Sequence, residues 1–156
     1  MSANETREIR GLMIPVTNGR VLLPNASVTE VITASTPERI PSTPDWLLGR
    51  VNWRGWRIPL FSFSLLAGMA MDERRAGGRV TVIKALGGNP RLPYLAMLAQ
   101  GFPRLTTISP EILLPTGDGG IPRPGVLMDV LVRDDTAIIP DLLQVEQLVT
   151  EALALT

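Results

Sequence analysis

Residues Gly49–Phe63 read GRVNWRGWRIPLFSF, and the way their two halves pair decides the fold. Arg54-Gly55 lies between two apolar arms. A two-residue turn there pairs Trp53 with Trp56, Asn52 with Arg57, Val51 with Ile58 and Arg50 with Pro59. Cross-strand partners share a face, so Val51, Trp53, Trp56 and Ile58 form one surface and Arg50, Asn52 and Arg57 the other. Two of the three tryptophans fall in this stretch, with Arg50, Arg54 and Arg57 beside them, which makes it the first place to look for function.

Working outward, the same period-2 pattern recurs. LMIPVTNGRVLLP, from Leu12, sets two apolar runs around Asn18-Gly19, a strong hairpin signal because both residues tolerate positive φ. Pro15 and Pro24 donate nothing to a ladder and fit only strand ends or unpaired edges. Asn25-Ala26-Ser27 suits one helical turn, and Ser27–Ala34 is a β-branched strand with Glu30 its sole charge. Pro37, Pro41 and Pro44 make the next segment a loop, and Asp45–Leu48 is expected to end it as a short helical turn stopped by Gly49.

Beyond the central hairpin, Ser62 or Ser64 opens a short helix that Gly68 closes. Met71–Arg79 reads as a solvated loop. Val80–Leu86 and Tyr94–Phe102 form a further hairpin around Gly87-Gly88-Asn89-Pro90. Ser109-Pro110-Glu111 starts a helical turn, and Thr116–Gly125 is a Gly/Pro loop. Val126–Val132 and Ala137–Ile139 flank a turn at Arg133–Thr136. The period then changes: Leu142, Val145, Leu148, Val149, Ala152 and Leu153 recur at helical spacing behind Asp141, which with Gln144 forms a capping pair. This predicts a helix over Leu142–Ala154.

Gly49–Leu66 and Gly125–Leu143 follow one plan: Gly, strand, polar turn, a strand ending in Ile-Pro, then a Leu-rich helical turn. Ile58-Pro59 and Ile139-Pro140 mark the repeat. It implies two related half-units, each a small barrel of short strands.

Composition removes whole classes of chemistry. Cysteine and histidine are absent, so disulfides, thiolate nucleophiles, zinc–thiolate sites, the usual general base and a phospho-accepting histidine are all missing. Fifteen basic residues balance fifteen acidic ones, so no net field gathers nucleic acid or acidic membrane. Asp72-Glu73 and Asp134-Asp135 are adjacent carboxylates in polar loops, best read as solvated turn charges. None of the glycine pairs sits between a strand and a long helix, as a phosphate loop requires. Ser62 and Ser64 have only Lys84 as a lysine partner. The chain is therefore expected to be no enzyme and to need no cofactor or metal. No apolar run nears the ~18 residues of a membrane span, and the polar start lacks a signal-peptide core, so membrane insertion is not expected and the cytoplasm is the expected location.

Two readings of the hairpin remain. Its arginines and tryptophans match an aromatic and basic surface that stacks and clamps nucleic acid or a small ligand. The plainer reading is a barrel whose core Trp53 and Trp56 close while the arginines are merely solvated.

The spaced residues tip this balance. Val28-Thr29-Glu30-Val31, the proline-bearing connection ending PDWLLG at Gly49, then VNWRG with Pro59 and Gly68, resemble the CheW-like coupling domain of bacterial chemosensory arrays. That family's form is a V-x-E-V strand, P-x-x-P-x-x-L-x-G, N-L-R-G, a Pro four residues on, D-L and a closing L-G. Asn52, Arg54, Gly55, Pro59 and Gly68 fall in register with it. The second half is compatible, so the resemblance spans about residues 10 to 150. Departures are Trp53 for Leu, Arg50 for an apolar residue, Ser62 for Asp, and Gln144 where a second Asp is common. With the phrases PLFSF and LAQGFP, they look most like the divergent ChpC-type branch of type IV pilus chemosensory systems.

The resemblance implies an all-β fold of two small five-stranded SH3-like barrels packed together, with short helical turns and a C-terminal helix. It implies one domain over residues 9–156, after a start over residues 1–8 whose polar composition predicts flexibility. It also implies a non-enzymatic adaptor bridging the cytoplasmic tip of a methyl-accepting chemoreceptor and the regulatory domain of a CheA-type histidine kinase, with no nucleic acid bound. The docking residues it implies are Val28, Glu30, Val51, Asn52, Arg54 and Gly55. Glu30 and Arg54 are expected as polar contacts or a pair holding the loop, and Val28 and Val51 as apolar surface for a receptor helix.

Overall fold

The computed structural model describes residues 8–73, 78–110, 112–116 and 123–154. The expected fraying of the first residues, most of the Gly117–Gly120 cluster's loop, and Glu111 of the Ser-Pro-Glu turn lie outside this set.

The central hairpin forms as its arithmetic requires. Strand β4 (Leu47–Trp53) and β5 (Trp56–Phe61) pair antiparallel, with Trp53 opposite Trp56, Asn52 opposite Arg57, Val51 opposite Ile58 and Arg50 opposite Pro59. Arg54 and Gly55 both take positive φ, 48° and 83°, as a two-residue turn matching strand twist demands.

Two sheets result. One runs β8 (Arg104–Ile108), β1 (Ile9–Val16), β2 (Gly19–Pro24), β11 (Asp135–Pro140), β10 (Val126–Val132) and β9 (Leu113–Pro115); the other runs β3 (Val28–Thr33), β6 (Arg79–Lys84), β7 (Tyr94–Ala99), β5 and β4. The first five strands of one match the other in spatial order and pairing, although the chain visits them in a different order: the lone strand comes first in the second sheet and between the two hairpins in the first. In each, a hairpin (β1–β2 or β6–β7) is flanked by a lone strand (β8 or β3) and meets a second hairpin through a parallel contact, β2 to β11 or β7 to β5. Each second hairpin carries a register shift near its start and a helix after it, α1 (Phe63–Leu66) or α2 (Leu142–Ala154). The repeat read from the Ile-Pro pairs is thus the repeat of the fold: two small SH3-like barrels and a C-terminal helix.

Three apolar clusters follow from alternation along strands buried on both faces. Along β7, Ala96 and Leu98 point into the second barrel with Val51, Trp53, Ile58, Val80 and Val82, whereas Leu95, Met97 and Ala99 point outward. There they meet Ile14, Val21 and Leu23 of the first barrel and Val145, Val149 and Ala152 of α2. Met13, Leu22, Val130, Val132 and Ala137 fill the first barrel. The outward cluster is shared, and it welds the barrels together.

Several local expectations change. The first hairpin turns on Thr17-Asn18, with Asn18 at φ 65° and Gly19 already paired to Val16, one residue earlier than read. The last hairpin turns on Arg133-Asp134, and Asp135 belongs to β11. Leu47–Gly49 are strand, not the end of a helical turn. Gly49 takes φ +144°, and a Cβ there would lie 2.4 Å from the Glu38 carbonyl oxygen, so glycine lets β4 run against the preceding loop. Glu38 and Arg50 exchange two backbone hydrogen bonds of 2.8 Å at this point. Glu73, read as a solvated charge, accepts hydrogen bonds from Thr17 and Ser62 hydroxyls and, at 3.1 Å, from the Gln100 amide. It ties the first hairpin's turn to the start of α1, where Ser62 caps by accepting from the Leu65 N–H at 3.1 Å.

Candidate docking site

Order β3-β6-β7-β5-β4 leaves β3 and β4 at opposite ends of the second sheet. Side chains join them where the barrel closes. Glu30 is drawn to the rim because β3 bulges between Val28 and Glu30, which places Glu30 opposite the inward-facing Val82. Its Oε1 accepts from the Trp53 indole Nε1–H at 3.0 Å and faces Arg54 Nη2 at 3.0 Å. One carboxylate oxygen therefore serves a donor inside the barrel and a cation outside it.

Trp53 is 6% exposed, packed edge-on against Tyr94 with ring centroids 4.7 Å apart. The Arg54 guanidinium lies 5.1 Å from the Trp53 ring centroid, within cation–π range. Its side chain keeps 66% of its exposure and that of Glu30 keeps 38%. An exposed pair of this kind stabilises the fold by about 0.2–1 kcal/mol, so it contributes more to surface shape and charge than to stability. Next to it, Gly55 has no heavy atom within 4 Å of a Cβ position, leaving open room at the tip.

The residues expected at the site divide. Glu30, Arg54 and Gly55 come together with Trp53. Asn52 is exposed on the opposite face, beside Arg57, whose guanidinium is paired with Glu38. Val28 is half-buried and packs on the shared cluster. Val51, expected as apolar docking surface, is 4% exposed and lines the barrel interior opposite Ile58, so it supports the rim from beneath and presents no surface itself. Trp56, expected in the core with Trp53, is 42% exposed: although it pairs with Trp53 beside the turn, its ring lies 6.3 Å from Tyr94 where that of Trp53 lies 4.7 Å from it, and it leaves the barrel interior to Trp53.

Tyr94 and Glu38 were missed. Lys84–Tyr94 pairing at the end of β6 and β7 brings the ring under both tryptophans, a contact no local pattern announces. Glu38 lies in the proline-rich connection, and only its proximity to Arg57 and Arg50 in three dimensions gives it a role.

Among the described residues no group of three or more acidic side chains could hold a metal ion, and no helix is long and apolar enough to cross a membrane.

Comparison with solved structures finds the scaffolding protein TtCheW from Thermoanaerobacter tengcongensis, with a TM-score of 0.71 and 19% identity over 86% of this chain and 89% of that one. At that identity the likeness establishes the fold. No curated protein sequence matches. The model of the CheW-like domain matches residues 10–152, nearly the whole of the two barrels and α2. The chain belongs to the CheW-like domain family.

Proposed function

We propose that this protein is a non-enzymatic cytoplasmic adaptor of a bacterial chemosensory array, bridging the cytoplasmic tip of a methyl-accepting chemoreceptor and the regulatory domain of a CheA-type histidine kinase. Membership of the CheW-like family supports a scaffold or coupling role. The observation that carries the docking assignment is the Glu30–Trp53–Arg54 cluster, a preorganised polar rim that joins the two ends of one barrel beside open space. Glu30, Arg54 and Gly55 form its exposed part, with Val51 beneath it, Val28 two residues from Glu30 on β3 and packed on the shared cluster, and Asn52 on the opposite face of β4. The phrases PDWLLG, PLFSF and LAQGFP, with Trp53 in place of Leu, support placement in the ChpC-type branch and control of type IV pili and twitching.

Nucleic-acid binding through the same hairpin has less support. Trp53 is turned inward, which leaves Trp56 as the hairpin's one exposed indole, and Arg54 and Arg57 each face a carboxylate, so the successive stacking faces and row of unpaired cations such binding uses are not assembled.

Mixing the purified protein with a receptor-tip fragment and the regulatory domain of the accompanying kinase tests the reading. A ternary complex on size-exclusion chromatography, absent when this protein is left out, is the expected result. Binding to neither, together with salt-sensitive binding to an oligonucleotide, would overturn it.

A further inference from the structure

We propose that β8 is a self-pairing edge: two copies of the chain join their β8 strands antiparallel about a two-fold axis, so that the first sheet of one continues into the first sheet of the other.

A sheet edge carries a row of unpaired N–H and C=O groups, and proteins guard such edges with bulges, prolines, charges or covering loops. Of the four end strands here, three are guarded. Strand β3 is bulged between Val28 and Glu30 and tied through Glu30 to Trp53 and Arg54. Strand β4 shifts register between Leu47 and Gly49 and is covered at Arg50 by the Glu38 backbone. Strand β9 has three residues and ends in Pro115.

Strand β8 has none of these devices. It reads Arg-Leu-Thr-Thr-Ile and keeps unbroken register along β1, from Arg104 opposite Met13 to Ile108 opposite Ile9. Among the described residues no backbone bond reaches its other side. Its one charge, Arg104, is paired with Asp135 at 2.9 Å, and Leu105 is left 57% exposed. Free backbone groups on an uncovered edge recognise another extended backbone.

The order of side chains along the strand selects a second copy. With the axis through Thr106, that residue faces its own copy, Leu105 faces Thr107, and Arg104 faces Ile108. No like charges are opposed. Leu105 and its copy become diagonal neighbours, a separation that long side chains span. They meet on the outer face of the sheet, where Leu105 lies opposite Leu12, which packs on the shared cluster. The exposed leucine thus gains apolar contact from the same residue of the other copy. A formal charge of zero adds no general repulsion between copies. The docking tip belongs to the second sheet and takes no part in this pairing.

Sedimentation velocity of the full chain, from micromolar to near-millimolar concentration, tests the pairing. The sedimenting mass should rise from monomer to dimer. Leu105→Lys changes an exposed position, so it should keep the monomer's melting temperature and raise the dimer's dissociation constant about ten-fold, because the diagonal contact is lost and two cations approach each other. The chain has no cysteine, so a single introduced thiol reads the register. Thr106→Cys sets two thiols on directly opposed residues, whose Cα atoms lie about 4.5–5.5 Å apart in an antiparallel pair, within disulfide reach. Mild oxidation should then give one covalent dimer, whereas Thr33→Cys on the guarded edge of β3 should stay monomeric. A wild-type chain that is monomeric at every concentration overturns the proposal, even where a strand of another protein takes the edge. A dimer unmoved by Leu105→Lys, or thiols that cross-link equally at both positions, puts the contact elsewhere and overturns it as well.

Discussion

Trp53 is the residue on which the rim turns, because it belongs to the barrel core and to the polar cluster at once. Trp53→Phe keeps an aromatic ring against Tyr94 and deletes only the indole donor. The loss should be about 1–2 kcal/mol in urea unfolding, with the backbone amides of β3 around Glu30 exchanging faster. A stability and exchange pattern identical to wild type would show that the indole bond does not position Glu30. Gly49 is the other decisive residue. Gly49→Ala places a methyl against the Glu38 carbonyl at a φ that side-chain-bearing residues avoid, and should cost roughly 2 kcal/mol or more. Because Glu38 is displaced, the Glu38–Arg50 backbone bridge and the Arg57 ion pair should be lost with it; a melting temperature within a degree of wild type would contradict that account.

At the scale of elements, the hairpins and α2 were legible because their signals are local. A two-residue turn fixes every pair of β4 and β5 by counting, and a period of 3.6 marks α2 to the residue. What stayed hidden depends on contacts across the chain. Leu47-Leu48-Gly49 resembles a helix end until Glu38 lies against it. Trp56 resembles its neighbour Trp53 until the barrel's depth is known. Glu73 resembles a loop charge until Thr17, Ser62 and Gln100 converge on it. Of the residues proposed for docking, the pairing of Glu30 with Arg54 was readable from the family pattern, but the burial of Val51 followed from the alternation of β4 and excludes it as surface.

Glu146 is a further case. It lies on the buried side of α2, 7% exposed, and accepts from the Leu86 N–H at 2.7 Å and the Gly87 N–H at 3.0 Å. It thereby satisfies two donors of the β6–β7 turn and pins the helix to the second barrel. Glu146→Ala should cost about 1–3 kcal/mol and speed hydrogen exchange at Leu86 and Gly87 first. Unchanged exchange there would mean that α2 is held by its apolar face alone.

For the molecule as a whole, the cluster between the barrels sets its behaviour. Phe61, Phe63, Leu95 and Met97 of one half and Ile14, Val21 and Leu23 of the other are buried together, with α2 covering them. Neither barrel retains this surface in water without loss, so the halves should unfold as one unit despite their repeat. Denaturation followed by tryptophan fluorescence, whose three reporters Trp46, Trp53 and Trp56 lie in or directly before β4 and β5 of the second barrel, should coincide with far-ultraviolet circular dichroism, which reports both. Separated midpoints would show two independent units. A shared core of this kind would suit the proposed adaptor role by holding the two barrels in one arrangement.

The proposed function places receptor docking at the tip of one hairpin of the second barrel. Calorimetric titration of the receptor-tip fragment into wild-type and Arg54→Ala protein, both first shown to have the same melting temperature, tests it most directly. The wild type should bind and the variant should lose about ten-fold in affinity; equal affinity of the two proteins would remove the hairpin tip as the docking site.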